Sequence, residues 1–379
     1  MKSHKVPPLD IENIHLLLMG VWRRFHKLSG PPDVLQTREF RSVVAGVKEL
    51  QDCFQANEFA QDYFKERSLL GAYLLYYWML HYQEGMSLIN EIPYRPTRVL
   101  DIASGPAPFS FAALRYGARD VVAIDRNKEA LLLASEICGR YGFPIQVRQH
   151  HVLQFPLPVE GRFDVIIVGH CLRELFSNEQ NQRQKEWVRK LSEYLTPQGM
   201  ILFVENSLAP MNHDFLTLRD ELVATGFSIQ APCVWRGECP ALQANSLCFA
   251  QREFEKTYLI KEIQRATDIH LSSLKMSYLI VRNLATEWPP VPNYPVYRVI
   301  SPPIETHAGK RFYLCGTDGK KNIGLRTSTP ETKAFDYLKR GELISIENGF
   351  VRDSHIDLVE GSHIKVEAAL QKPLPFTAE

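Results

Sequence analysis

The 379-residue chain contains no apolar run near the ~18 residues that a membrane-spanning helix needs. A membrane is therefore not an expected partner. Charge of one sign is missing too: 44 Lys and Arg stand against 43 Asp and Glu, so no global field marks a nucleic-acid binder. The opening stretch MKSHKVPPLDIENIHLLLMG lacks the unbroken apolar core and small-residue cleavage site of a secretory signal. It also turns acidic too early, and holds too little Arg and Ser, for a typical transit peptide. A cytoplasmic, monomeric protein is the expectation. Internal repeats and low-complexity tracts are absent. In a reducing compartment, the seven cysteines do not read as a disulfide framework, so their spacing carries the information.

What is present divides into three parts. Residues 1–90 read as helical, with Leu16, Leu17, Leu18 and Val21, then Phe40, Val43, Val44, Val47 and Leu50, at helical spacing. The run from Leu69 to Trp78 is apolar all round and is expected to be buried. From Arg98 the pattern changes to short apolar runs alternating with helical stretches: RVLDIAS (98–104), DVVAIDR (120–126), IQVRQHHV (145–152), FDVIIVGHC (163–171) and GMILFVEN (199–206). FSIQAP (227–232) and SYLIVRN (277–283) complete an α/β core over 91–290, a parallel sheet covered on both faces. Within it, residues 231–275 form a cysteine-rich insert with a charged helical stretch, Glu253 to Ala266. After the proline-rich break at 288–292, residues 291–379 read as a small β-rich module, barrel-like. Between Arg298 and Arg340, nine basic residues face four acidic ones. This is either a phosphate-gripping patch or a solvated surface. Tyr297, Phe312, Tyr313 and Tyr337 in the same stretch can stack on bases, but a small β module needs aromatics for its core.

The chemistry begins at Val99-Leu100-Asp101-Ile102-Ala103-Ser104-Gly105-Pro106, where a strand enters a tight turn and then a helix. Small residues there let the backbone approach a ligand at the carboxyl end of a central strand. Asp125 closes the next strand about twenty residues on, placed to accept hydrogen bonds from both hydroxyls of a ribose. Dinucleotide-binding turns usually carry three ordered glycines. This one reads S-G-P-A-P, and with no pyrophosphate to cradle, the looser turn favours S-adenosylmethionine (SAM) and a class I SAM-methyltransferase Rossmann-like sheet.

The expected cofactor contacts are Asp101, Ala103, Ser104, Gly105 and Pro106 along the turn, Asp125 and Arg126 after the second strand, His151 after the third, and Gly169 after the fourth. Many such enzymes have an Asp after the third strand. Here His151 either substitutes or, with His150, simply ends the strand. The loop Gly169-His170-Cys171-Leu172-Arg173-Glu174-Leu175 lacks both an Asn/Asp-Pro-Pro-aromatic motif and a Pro-Cys nucleophile. Cys171 reads as a buried thiol, and no catalytic base stands out.

Cys233, Cys239 and Cys248 fall within sixteen residues, and Cys315 follows in the third part. Four thiolates suffice for zinc or for an iron–sulfur cubane, although the gaps are wide for a zinc knuckle. Unrelated buried cysteines are the plain alternative, and the better one for Cys53 and Cys138.

APC-x5-CP-x6-LCF-x-QR, followed by Lys275-Met276-Ser277-Tyr278-Leu279, resembles the mitochondrial small-ribosomal-subunit assembly methyltransferase-like family and its bacterial relatives. The helical N-terminus, the S-G-P turn and the β-rich C-terminus are similar as well, while Ala107 and Pro108 depart from the family's usual Gly and Thr. The resemblance implies a [4Fe-4S] cluster on Cys233, Cys239, Cys248 and Cys315, SAM bound by the core, and association with the small ribosomal subunit or its RNA. Two functions compete: methyl transfer to ribosomal RNA during assembly, and a non-catalytic assembly factor stabilised by its cluster. A small-molecule methyltransferase with structural zinc is a third.

Overall fold

The computed structural model describes residues 10–56, 64–176, 181–307, 309–325 and 329–376, the side chains of 181 and 182 excepted. The chain opens with α1 (Ile11–Phe25), α2 (Thr37–Ala56) and α3 (Arg67–Ala72). A single π-helical turn, Tyr73–Tyr77, then leads directly into α4 (Trp78–Ile89). The apolar residues of this continuous segment are buried against the sheet, as their all-round distribution requires.

Strands and helices then alternate: β1 (Arg98–Ile102), α5 (Pro108–Tyr116), β2 (Asp120–Asp125), α6 (Lys128–Arg140), β3 (Gln146–Gln149), β4 (Phe163–Gly169), α7 (Leu172–Phe176), α8 (Asn181–Ser192), β5 (Leu195–Asn206) and α9 (Ala209–Ala224). There follow β6 (Ile229–Ala231), α10 (Pro240–Gln243), β7 (Ala250–Arg252), α11 (Tyr258–Thr267) and β8 (Leu274–Arg282). The strand order is β3-β2-β1-β4-β5-β8-β6, with β7 also paired to β8. The first five strands are parallel and β8 runs against both β5 and β6. The order reverses between β1 and β4, which puts the switch point, where open α/β sheets bind ligands, at the carboxyl ends of those two strands.

Alternation along the strands feeds two cores. Val99, Val165, Ile167, Leu202 and Val204 point to the face covered by α1–α4, α5 and α6. Leu100, Ile102, Ile166, Val168, Ile201 and Phe203 point to the other face, under Trp187, Val188 and Leu191 of α8 and Phe215, Leu218 and Leu222 of α9. The N-terminal helices therefore share one continuous core with the sheet.

The last part is a second sheet of β9 (Val296–Val299), β10 (Ile304–Thr306), β11 (Gly309–Gly316), β12 (Gly319–Leu325), β13 (Leu343–Glu347), β14 (Phe350–Arg352), β15 (His355–Leu358) and β16 (His363–Ala368). Its order is β14-β15-β12-β11-β9-β13-β16, antiparallel except for β12 with β15. The pairings among the described residues run from β14 to β16 without closing a ring, in place of the expected barrel. Phe312, Phe335, Leu314, Ile344 and Ile364 fill its core. Val234 of the insert packs with Val296, Leu343 and Ala368, which ties the two sheets together.

Candidate cofactor and metal sites

The turn after β1 is built from three left-handed residues in a row of five: Ala103 (φ 52°), Gly105 (φ 53°) and Ala107 (φ 58°). Glycine adopts this conformation freely and alanine does not. Ala107 is completely buried against Ala123 and Ala134, which holds it there. The turn is fastened on three sides. Ser104 N donates to Ile124 O at 3.0 Å, and Ala107 N to Ser104 O at 2.9 Å. Gly105 N donates to Asp125 Oδ2 at 2.8 Å, while Asp125 Oδ1 accepts from Asn127 N at 2.7 Å. Pro106 O accepts from Trp78 Nε1 at 3.0 Å.

Asp101 lies beneath, its Oδ2 accepting from Ser110 N at 3.0 Å and Ser110 Oγ at 2.6 Å. Burial pushes the Asp101 carboxyl up to about 7 against that hydrogen bonding, and burial raises Asp125 as well. Arg126 is exposed and pairs with Glu174 at 2.5 Å. His151 sits half-buried at the end of β3, receiving a long 3.4 Å contact from Leu153 N. Gly169 ends β4 so close to Phe109 that a Cβ would stand 2.4 Å from the ring. Asp101 through Pro106 and Asp125 thus form one connected turn, with Gly169 and His151 on the flanking strand ends.

Sequence reasoning found no base in the loop after β4, yet the structure assembles a titratable trio there. His170 (φ 53°) reaches back to α4, where Glu84 Oε2 meets His170 Nε2 at 2.8 Å and His81 Nδ1 at 3.0 Å. The two imidazole centroids are 4.1 Å apart, and Phe109 flanks both rings. Burial opposes the charge on Glu84, but His170 and His81 outweigh it and hold the carboxyl at about 2. Burial likewise opposes charge on His170, but Glu84 wins and raises it. His81, desolvated and facing His170, is lowered. Cys171 is buried and its thiol is pushed far up by burial, as expected of a packing residue. Only the three-residue spacing of His81 and Glu84 on one helix face was visible in advance; their partner is 86 residues further on.

Cys233, Cys239, Cys248 and Cys315 line one largely apolar cavity where the insert meets β9, β11 and β12. All four are free thiols. Helix α9 holds the insert: Asn212 bonds both ways to the Cys248 backbone at 2.7 and 3.0 Å, and Asp220 receives Cys239 N at 2.9 Å. The fully buried Arg219 donates to Trp235 O at 2.6 Å and faces Cys233.

Arg298, Lys320 and Arg340 also line this cavity. Three of the nine positive charges counted between residues 298 and 340 are therefore turned toward the cysteines, and Arg326 lies outside the described residues. Tyr297 and Phe312 are buried, whereas Tyr313 and Tyr337 are exposed. Beside the cavity Arg252, fully buried, pairs with Glu91, whose other oxygen accepts from Tyr278 Oη at 2.5 Å.

The family model for "Mitochondrial small ribosomal subunit Rsm22" matches residues 81–340, well over half of the chain. The chain belongs to this family. The match includes α4 from His81 onward, the turn, the insert and Cys315. The Rsm22-family chain is also 33% identical over 81 residues to the ribosomal protein L11 methyltransferase of Geobacter sulfurreducens. That match covers 21% of this chain and 26% of the relative, so it spans only about a quarter of that protein's length. Among solved structures, the N-methyltransferase NodS from Bradyrhizobium japonicum WM9 with S-adenosyl-L-homocysteine is 15% identical, with a TM-score of 0.35 over 54% of this chain and 85% of that one. The ribosomal protein L11 methylase from Lactobacillus delbrueckii subsp. bulgaricus is 15% identical, with a TM-score of 0.33 over 54% and 77%. No described helix is long and apolar enough to cross a membrane.

Proposed function

We propose that this Rsm22-family chain binds SAM at the turn after β1 and acts on, or binds, small-subunit ribosomal RNA during ribosome assembly. In this reading a four-cysteine [4Fe-4S] cluster joins the insert to the C-terminal sheet. The observation that carries the cofactor reading is the Gly105–Asp125 contact at the sheet's switch point, inside the segment matched to the family. When bound, SAM supplies an electrophilic methyl group. Asp125 would accept from the ribose hydroxyls through its remaining lone pairs, the Ala103–Ala107 turn would pass beside the cofactor, and buried Asp101 and Asp125 suit a sulfonium cation. Transfer from a sulfonium depends mainly on positioning and desolvation.

The donor set and its surroundings also fit a cluster. The lining pairs four sulfurs with Arg219, Arg298, Lys320 and Arg340, cations that would offset thiolate charge, and the Arg340 Nε is buried without a hydrogen-bond partner.

Anaerobic purification with iron and zinc quantitation, followed by methyl transfer from labelled SAM to small-subunit RNA, tests both parts. Iron should predominate, Asp125→Ala should abolish methyl incorporation, and Cys239→Ser should lose iron and subunit binding. The strained Ala107 in a glycine-like conformation favours the second reading, a non-catalytic assembly factor. That reading prevails when Asp125→Ala binds subunits like the parent and the parent transfers no methyl group.

A further inference from the structure

The reading above gives no role to the His81–Glu84–His170 trio. One donor atom from each residue lies within 4.8 Å of the others. Here two imidazoles from different elements converge on the same oxygen, at 2.8 and 3.0 Å. Those separations match the ~3 Å edge between neighbouring ligands around an octahedral ion with ~2.1 Å bonds.

The backbone is also bent to this end. His170 takes a left-handed conformation (φ 53°), a cost that persists only where the surroundings enforce it. Gly169 packed on Phe109, with Phe109 flanking both rings, provides that enforcement. His81 and Glu84 come from one face of α4, a rigid base. Glu205, close enough to act electrostatically on His170, is itself held by Leu172 N at 2.8 Å. The three side chains retain 16%, 7% and 23% exposure, so an ion can reach them.

We propose that His81, Glu84 and His170 form a two-histidine, one-carboxylate site for one divalent transition-metal ion, separate from the cysteine cavity. Imidazole donors select zinc, iron(II), manganese or cobalt over magnesium and calcium, which require oxygen. Three protein ligands leave positions open beside the loop after β4, where a substrate atom or water would complete the shell.

The test is Co2+ titration into the chelator-treated full-length chain, followed by absorption spectroscopy. One equivalent should give ligand-field bands without thiolate-to-cobalt charge transfer. Cys248→Ser should leave those bands unchanged, and His170→Ala or His81→Ala should weaken binding at least about tenfold. Glu84→Gln, which keeps the side chain's shape, should abolish the rise in Tm that Co2+ produces in the parent. Pulsed electron paramagnetic resonance of Cu2+-loaded parent chain should show imidazole nitrogen couplings, a readout independent of any variant's folding. The proposal is overturned by thiolate charge transfer in Cys248→Ser with no ligand-field bands beside it, by histidine variants that bind like the parent, or by absence of nitrogen couplings. SAM affinity, measured separately by calorimetry, would be unchanged in that event, which keeps this failure distinct from failure of the methyltransferase reading.

Discussion

The carboxyl end of the parallel strands and the cysteine cavity are lined with opposite charge. Around the turn stand Asp101, Asp125, Glu84 and Glu205, all buried, with His170 as the nearby partner. Around the four cysteines stand Arg219, Arg298, Arg340 and Lys320, with Arg252 beside them. A buried charge without compensation is costly, so each lining indicates the sign of what it accommodates. The first suits cations, a sulfonium or a metal ion; the second suits an anionic thiolate-bound centre.

The contrast breaks most visibly at Glu91. Removing it in Glu91→Ala leaves the Arg252 guanidinium buried and unpaired, and should lower stability by about 3–5 kcal/mol in urea unfolding. If the loss is small, Arg252 is already balanced by the cysteine side, and that cavity is less cationic than its lining indicates. A middle-sized effect is expected on the acidic side from Gly169→Ala. Its Cβ would drive into Phe109, costing about 1–3 kcal/mol and displacing the ring that braces the histidines. Chemical denaturation measures the first part, and the loss of cobalt binding the second.

A third change is one of slope. Asp101 has a folded-state pKa of about 7 against an ordinary 3.8. Between those values the folded chain keeps a proton that the unfolded chain has released, so this residue's contribution to stability declines as pH rises from about 4 to about 7. Asp101→Asn should flatten that decline. An identical slope in parent and variant would show that Asp101 is already ionised and that the acidic side carries more charge than drawn here.

Much of this architecture is legible in the sequence wherever information is local. The β1 turn and Asp125 lie some twenty residues apart in one βαβ unit, and they are found as expected because alternation, a small-residue turn and a terminal acid are all short-range signals. The cysteines were found only as a suggestive spacing plus a family likeness, since Cys315 comes from a different sheet. The histidine trio was missed. His81 and Glu84 are embedded in an apolar helix that reads as pure packing, and only the left-handed backbone at His170 directs that side chain back to them. The basic segment was legible only as a count, which cannot show that Arg298 of β9, Lys320 of β12 and Arg340 before β13 line the cavity, because side-chain direction is settled by strand pairing and loop packing.

Helix α4 contacts all of these places within two turns. Trp78 holds the Pro106 carbonyl, His81 and Glu84 receive His170, and Gln83 grips Glu255 within the insert through two hydrogen bonds of 2.8 and 3.0 Å. It works as a common axle. Moving this helix would shift the turn, the histidines and Glu255 of the insert together, so these places share one support although they share no ligand.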